Sequence, residues 1–232
     1  MHIGASNISW GYSDNQKIFK ILQEAGFDYI ESVFPKISEG FPIKAVQSIL
    51  YNSGINSLDN IEECADYIGK VINRCEDLGV QVITFGSPSI RVGSKQRMQD
   101  MLLLVDKILD EKKVKFCIEP NAKYYGAEYY NTLEEISKDL PMYNNVVSMI
   151  DVGNSLLEGK DPIEEYILYS QYVYHIHFAA KDLKEIEDYK IYKDFYKYLL
   201  ENDYNGLLTY EFGTIDNIKN NLNKFISSVK EK

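Results

Sequence analysis

Cysteine is scarce in this chain: Cys64, Cys75 and Cys117 are the only three among 232 residues. An odd, small number in a chain long enough for its own core excludes a disulfide framework and fits a reducing compartment. Proline is also sparse, at six residues, and no stretch rich in Pro, Gly or Ser divides the chain. One domain over residues 1–232 is therefore expected, with no low-complexity tract. Positive charge is short: 25 Lys and Arg stand against 35 Asp and Glu, for a net charge of -10. That balance opposes a nucleic-acid partner, which calls for a basic surface. It still permits a small anionic substrate beside a local cation. Long apolar runs are absent, and none approaches the roughly 20 residues of a membrane span. The start, MHIGASNISWGY, has no basic region leading into an apolar stretch. These absences predict a soluble cytoplasmic protein with no membrane partner. What is present is an ordinary core composition, 45% hydrophobic, and an unusual 19 tyrosines.

Short β-like runs alternate with longer amphipathic segments. The runs are HIGASNIS, FDYIESVF, GINSLDN, VQVITFG, KFCIEP, VSMIDV, YVYHIHF and LLTYEF. Between them, DNQKIFKILQEAG carries apolar residues at helical spacing and stops at Gly26. NTLEEISKDL opens like a capping box, and DPIEEYILYSQ places Pro162 in a first helical turn. Eight strands alternating with about eight helices predict βαβ repetition and a parallel sheet. A closed α/β barrel, the (β/α)8 TIM barrel, is the first choice. An open doubly wound sheet is the second, but the first strand is followed by no Gly-rich phosphate turn.

Four of the runs end in an ionisable group: Glu119, Asp151, His177 and Glu211. Strand C-termini of a parallel barrel share one rim, so these residues would converge. Three carboxylates and an imidazole in one place repel unless a cation lies between them. The set reads as a site for one divalent ion, with oxygen-rich ligands suited to Mg, Mn or Co and acceptable to Zn. Each residue alone has a plainer reading. Asp151 could cap a following helix, His177 could be a satisfied core residue, and Glu119 or Glu211 could form a rim ion pair. His175 and His177 alternate along YHIHF and face the same side of the strand, His175 one layer deeper, where it could orient a neighbour by a hydrogen bond. Arg91, after the Gly-Ser-Pro of FGSPSIR, could hold an anionic group or pair with a surface acid. Glu31 and Trp10 complete the rim, Trp10 as an apolar wall for a sugar or simply as core. Asn121 and Tyr124 are candidate hydroxyl-binding groups, or else solvent-facing loop residues.

At these residues the chain resembles the sugar phosphate isomerase/epimerase superfamily of xylose isomerase-like TIM barrels, over nearly its whole length. The carriers are Glu119 in IEPN, Asp151 in IDVGN, His177 in HIHF, Glu211 in TYEF, the GSP-x-x-R pattern ending at Arg91, and the Tyr125-Gly126 pair. The resemblance implies one metal held by Glu119, Asp151, His177 and Glu211. It also implies acid and base roles for Glu119 and Glu211. Two positions depart from the family pattern. Asn154 stands where a His often follows the Asp, and Lys181 lies where many members carry an Arg after the metal His. Both are candidate substrate contacts. The implied activity is isomerisation or epimerisation of a sugar or sugar phosphate, by proton abstraction beside a carbonyl through an enediolate. Dehydration of a keto-sugar or cyclitol, sugar binding without turnover, and endonuclease IV-like phosphodiester hydrolysis are the alternatives. The last needs more histidines than the chain has. A homo-oligomer is compatible with such a barrel, but no helix stripe marks an interface.

Overall fold

Strands form where β-branched and aromatic residues cluster in runs of four to seven residues, and helices where apolar residues recur at the 3.6-residue period. The computed structural model describes residues 1–11, 15–34, 40–214 and 216–230. The strands are β1 His2–Ser6, β2 Tyr29–Val33, β3 Ile43–Gln47, β4 Val82–Phe85, β5 Lys115–Ile118, β6 Val146–Asp151, β7 Val173–Ala179 and β8 Leu207–Glu211. All are parallel. They pair in sequence order, and β1 also pairs with β8, so the sheet closes into a barrel. Around it lie α1 Asn15–Ala25, α2 Ile61–Asp77, α3 Lys95–Ile108, α4 Leu133–Ser137, α5 Val152–Leu157, α6 Pro162–Tyr169, α7 Lys190–Glu201 and α8 Ile218–Lys230. The protein is an eight-stranded TIM barrel.

One strand lies elsewhere than the sequence pattern suggests. The third strand was expected in GINSLDN, but Ile43–Gln47 forms β3, and residues 54–60 are a loop leading into α2. Pro42, Lys44 and Gln47 interrupt the apolar character of the true strand, whose first two residues are only half-buried. The rival segment follows left-handed Asn52 and Gly54, and its Asn60 caps α2 by accepting the Glu63 N–H. Only Leu58 of that loop is buried. The short α5, directly after β6, carries no amphipathic pattern of its own; it is the helix that the capping reading of Asp151 implies.

Helix starts follow capping chemistry. Thr132 accepts the Glu135 N–H, and the Glu135 carboxylate accepts the Asn131 N–H, so α4 opens on a box shifted by one residue. Asp161 caps α6 with Pro162 behind it. Carboxylates also pin the turns into the strands. Glu76 of α2 accepts the Lys113 and Val114 amides before β5, and Asp106 of α3 accepts those of Asn144, Asn145 and Val146 before β6.

The apolar residues partition into layers. Outward-facing strand residues pack beneath the helices in two large clusters. Inside the barrel, Tyr29, Ala45, Val82, Cys117, Met149 and Leu207 form a separate floor. Gly4 leaves room for the Tyr29 ring, which a Cβ there would strike. Side chains alternate along a strand, so two residues above Cys117, Met149 and His175 come Glu119, Asp151 and His177, and four above Leu207 comes Glu211. The apolar floor thus carries a polar upper layer at the C-terminal rim.

Candidate metal centre and surrounding cleft

The barrel brings the four strand-end groups together. Asp151 lies beside His177 in the β6–β7 register, and Glu211 of β8 pairs with Ala179 of β7. His177 Nδ1 is 3.3 Å from a Glu211 oxygen, 3.7 Å from Glu119 and 3.9 Å from Asp151. One ligand atom from each of the four residues lies within 4.8 Å of every other. His177 Nδ1 is buried and has no hydrogen-bond partner. A buried ring nitrogen aimed at three carboxylates, with its other nitrogen already engaged, is the donor set that a divalent cation takes. The residues therefore fit the single ion expected from the sequence.

Burial drives the Asp151 carboxyl well above its ordinary range, and the charges of Glu119 and Glu211 push the same way. Desolvation would lower the His177 imidazole, but Glu31 and Glu211 outweigh it and hold it well above the usual histidine value. A cation among these groups would stabilise the charged carboxylates and the neutral ring. Asp151 also fulfils the plainer reading: one oxygen caps α5 by accepting the Asn154 N–H at 2.6 Å, while the other faces His177. Capping leaves the second oxygen of the carboxylate free for a cation.

Beneath the site lies a second polar cluster. His177 Nε2–H donates to Glu31 at 2.8 Å, and His175 Nε2 is 3.0 Å from the same oxygen. Thr84 donates to the other Glu31 oxygen at 2.8 Å. His175 Nδ1–H donates to the Leu207 carbonyl. Burial alone would raise the Glu31 carboxyl, but His177 and His175 hold it well below the usual range. Glu31 is wholly buried. It is therefore not the rim substrate contact expected of it; it fixes the ring orientation that presents His177 Nδ1 upward. His175 has the orienting place foreseen for it and makes no rim contact.

Several other expectations meet a different geometry. Arg91 is fully buried, and its guanidinium donates to the main-chain carbonyls of Phe85, Glu119 and Tyr130 at 2.7–3.2 Å. Burial lowers it to about 10. Its Nη groups tie the ends of β4 and β5 together, its Nε is buried without a partner, and it lines neither of the cavities beside Glu119, so it is not the rim anion contact expected of it. Trp10 is buried in the apolar cluster beside α1, α7 and α8. Tyr124 is 55% exposed, with Lys181 Nζ 4.1 Å from its ring centroid; its neighbour Tyr125 lines the cavity instead. The Tyr125 hydroxyl accepts the Asp182 N–H, so the loops after β5 and β7 are joined at the mouth. The Tyr125-Gly126 pair was the sequence signal for this residue, since left-handed Gly126 sets the turn. Asn121 and Asn154 both line the cavity. The Asn154 side-chain oxygen accepts the Ala122 N–H, whereas the buried Asn121 Oδ1 has no partner.

The cavity at Glu119, Asp151 and Glu211 is about 420 Å³ and is walled by Asn121, Tyr125, Asn154, Ala180 and Leu183. No helix among the described residues is long and apolar enough to cross a membrane.

Comparison with known proteins agrees with this architecture. A Synechocystis protein named a probable ketose 3-epimerase is 22% identical over 228 residues, covering 85% of this chain and 78% of that protein. The apo 3-keto-D-glucoside 4-epimerase of E. coli superposes with a TM-score of 0.77 at 15% identity, covering 97% of each chain. The D-psicose 3-epimerase of Clostridium cellulolyticum H10, solved with D-tagatose, superposes with a TM-score of 0.74 at 19% identity, covering 96% of this chain and 89% of that one. At such identities the structural likeness shows the fold alone. The family model of the xylose isomerase-like TIM barrel matches residues 19–227, and the chain belongs to that family.

Proposed function

We propose that the protein is a divalent-metal-dependent sugar epimerase or isomerase, acting on a ketose by moving a proton beside its carbonyl. The observation that carries this reading is the unpartnered His177 Nδ1 ringed by Glu119, Asp151 and Glu211 on the barrel rim. Those four residues would hold the ion, which supplies Lewis-acid polarisation of the substrate's carbonyl and so favours the enediolate. Glu119 follows β5, Glu211 closes β8, and both line the cavity, so two carboxylates are available to exchange one proton with a bound substrate. One takes the proton from the carbon next to the carbonyl. Return by the other to the opposite face of that carbon gives an epimer; return to the neighbouring carbon gives the aldose–ketose isomer. Asn121, Tyr125 and Asn154 offer polar groups to the remaining hydroxyls. The named Synechocystis, E. coli and Clostridium relatives support a keto-sugar as the substrate class.

The test begins with metal content by elemental analysis after reconstitution with Mn. About one ion per chain is expected for the wild type and none for His177→Ala. Solvent deuterium should enter the α-carbon of a ketose with wild type, and Glu211→Gln should stop it while the circular-dichroism melt is retained. Two or three ions per chain, or undiminished exchange in Glu211→Gln, would refute the assignment.

A further inference from the structure

Beside the cavity over the metal ligands lies a second one of about 410 Å³, between the loops that follow β3 and β4. Glu119 and Asn121 line both, so the two adjoin at these residues. Each is by itself of the size that accommodates a small ligand. The reacting end of a sugar, held over Glu119, Asp151 and Glu211, occupies only the first. The proposed chemistry leaves the second without a role.

Its lining has a definite character. Gln47, Ser48, Asn52, Ser87 and Asn121 supply amides and hydroxyls, and Tyr51, 65% exposed, stands at the lip. Three of these residues, Ser48, Asn52 and Ser87, have left-handed backbones with φ of 55°, 58° and 59°. Residues other than glycine adopt that conformation when the surrounding structure enforces it, and such outliers gather where ligands bind. Asn121 Oδ1 is a buried acceptor with no partner, on a residue only 6% exposed at the junction of the two cavities. A buried unpaired acceptor costs stability unless a donor reaches it, and a ligand hydroxyl is such a donor. Among the described residues neither lining includes a lysine or arginine. Arg91 gives both Nη groups to main-chain carbonyls and lines neither cavity, and Glu119 lines both with a carboxylate. This environment repels a phosphate and suits a neutral polyol, with the Tyr51 ring as a flat apolar surface against the face of a sugar.

We infer that the cleft between β3 and β4 is a subsite for a second, neutral sugar unit, and that the substrate is a ketose-bearing glycoside or disaccharide rather than a free or phosphorylated monosaccharide. The inference rests on the proposed epimerase or isomerase reading for its reacting end, and on the second cavity for the rest.

The test is binding, read by saturation-transfer NMR titration on the full chain without added metal. The probes are lactulose (a ketose-ended disaccharide), cellobiose, fructose and fructose 6-phosphate. Lactulose or cellobiose should bind at least tenfold more tightly than fructose, and fructose 6-phosphate no better than fructose. Tyr51→Ala and Asn52→Gly should bring the disaccharide-to-monosaccharide ratio to within about twofold, with unchanged melting curves. Asn52→Gly keeps the left-handed turn and removes only the side chain. Equal affinity for mono- and disaccharide, a ratio untouched in both variants, or preference for the phosphate ester would overturn the subsite. The Mn-loaded protein is then incubated with lactulose in deuterium oxide. Tight disaccharide binding without deuterium uptake would overturn the epimerase or isomerase reading while leaving the subsite standing.

Discussion

Gly86 shows how much the site depends on single atoms. It follows β4, and a Cβ there would run into the Glu119 carboxylate. Gly86→Ala should therefore displace one proposed ligand and proton carrier without touching the core. A loss of about 100-fold or more in deuterium exchange is expected, since small misplacements carry that cost, with a melting temperature close to wild type. Retained exchange would mean that Glu119 can move freely and is not held for chemistry. Glu31 makes a similar argument from below, because its carboxylate is the acceptor that turns His177 Nδ1 toward the rim. Glu31→Gln keeps the shape but weakens that acceptor, and metal affinity by competitive titration should fall roughly 10–100-fold. Equal affinity would show that the ring is held by packing alone. The convergence of the four strand-end groups was legible in the sequence because a charged group closing an apolar run needs a partner. The depth of Glu31 was not: in sequence FDYIESVF reads like the other runs that end in an acid, but β2 continues to Val33, so Glu31 sits mid-strand inside the barrel while Glu119 lies just past the end of β5. Arg91 differs from its sequence reading for a related reason. Its surroundings in sequence fit an anion site, but its Nη groups go to three main-chain carbonyls that no sequence pattern displays.

Elements here are joined by carboxylates as much as by apolar packing. Asp106 on α3 is the clearest case, since three consecutive amides of the turn into β6 donate to it at 2.7–3.1 Å. Asp106→Ala leaves those amides without their acceptor; Val146 is buried, whereas Asn144 is exposed and Asn145 half-buried, so water can replace part of the loss. The expected cost is about 1–3 kcal/mol, that of one buried unpaired group. For a chain of this size that lowers the melting temperature by roughly 3–9 °C. Asp106→Asn, which retains one acceptor oxygen, should lie between; a melt unchanged in the alanine variant would remove the clamp from the account. Strand β3 was misplaced from sequence because it lacks a continuous apolar run. Lys44 and Gln47 belong to it, and Gln47 donates to Ser6 across the barrel interior at 2.6 Å. A strand that lines a polar cleft carries polar residues where a structural strand would carry valine. The same property that hid β3 from the pattern makes its end a wall of the second cavity.

At the scale of the whole molecule, the barrel sorts its three thiols by depth. Cys64 and Cys75 lie on the inner face of α2, within the cluster between helices and sheet, whereas Cys117 belongs to the floor inside the barrel. Burial raises the Cys64 thiol to about 11 and the Cys75 thiol to about 12, and drives Cys117 higher still. The thiolate is the reactive form, so at pH 8 the native protein should offer almost none. No thiol should react with a disulfide reagent over hours in the native state, and all three should react promptly in strong denaturant. In intermediate denaturant the order separates two views of cooperativity. Loosening α2 suffices to expose Cys64 and Cys75, but Cys117 requires separation of strands that close on themselves. Cys117 should therefore be modified last, as read by mass spectrometry of labelled peptides, and its rate should follow the loss of the far-ultraviolet circular dichroism signal. Modification of Cys117 before the α2 thiols would show that the barrel opens along β4–β5 or β5–β6 while its helices stay docked. Glu119 lies just beyond β5, so that seam would also carry one of the proposed ligands away, and metal binding should then be lost before the helical signal.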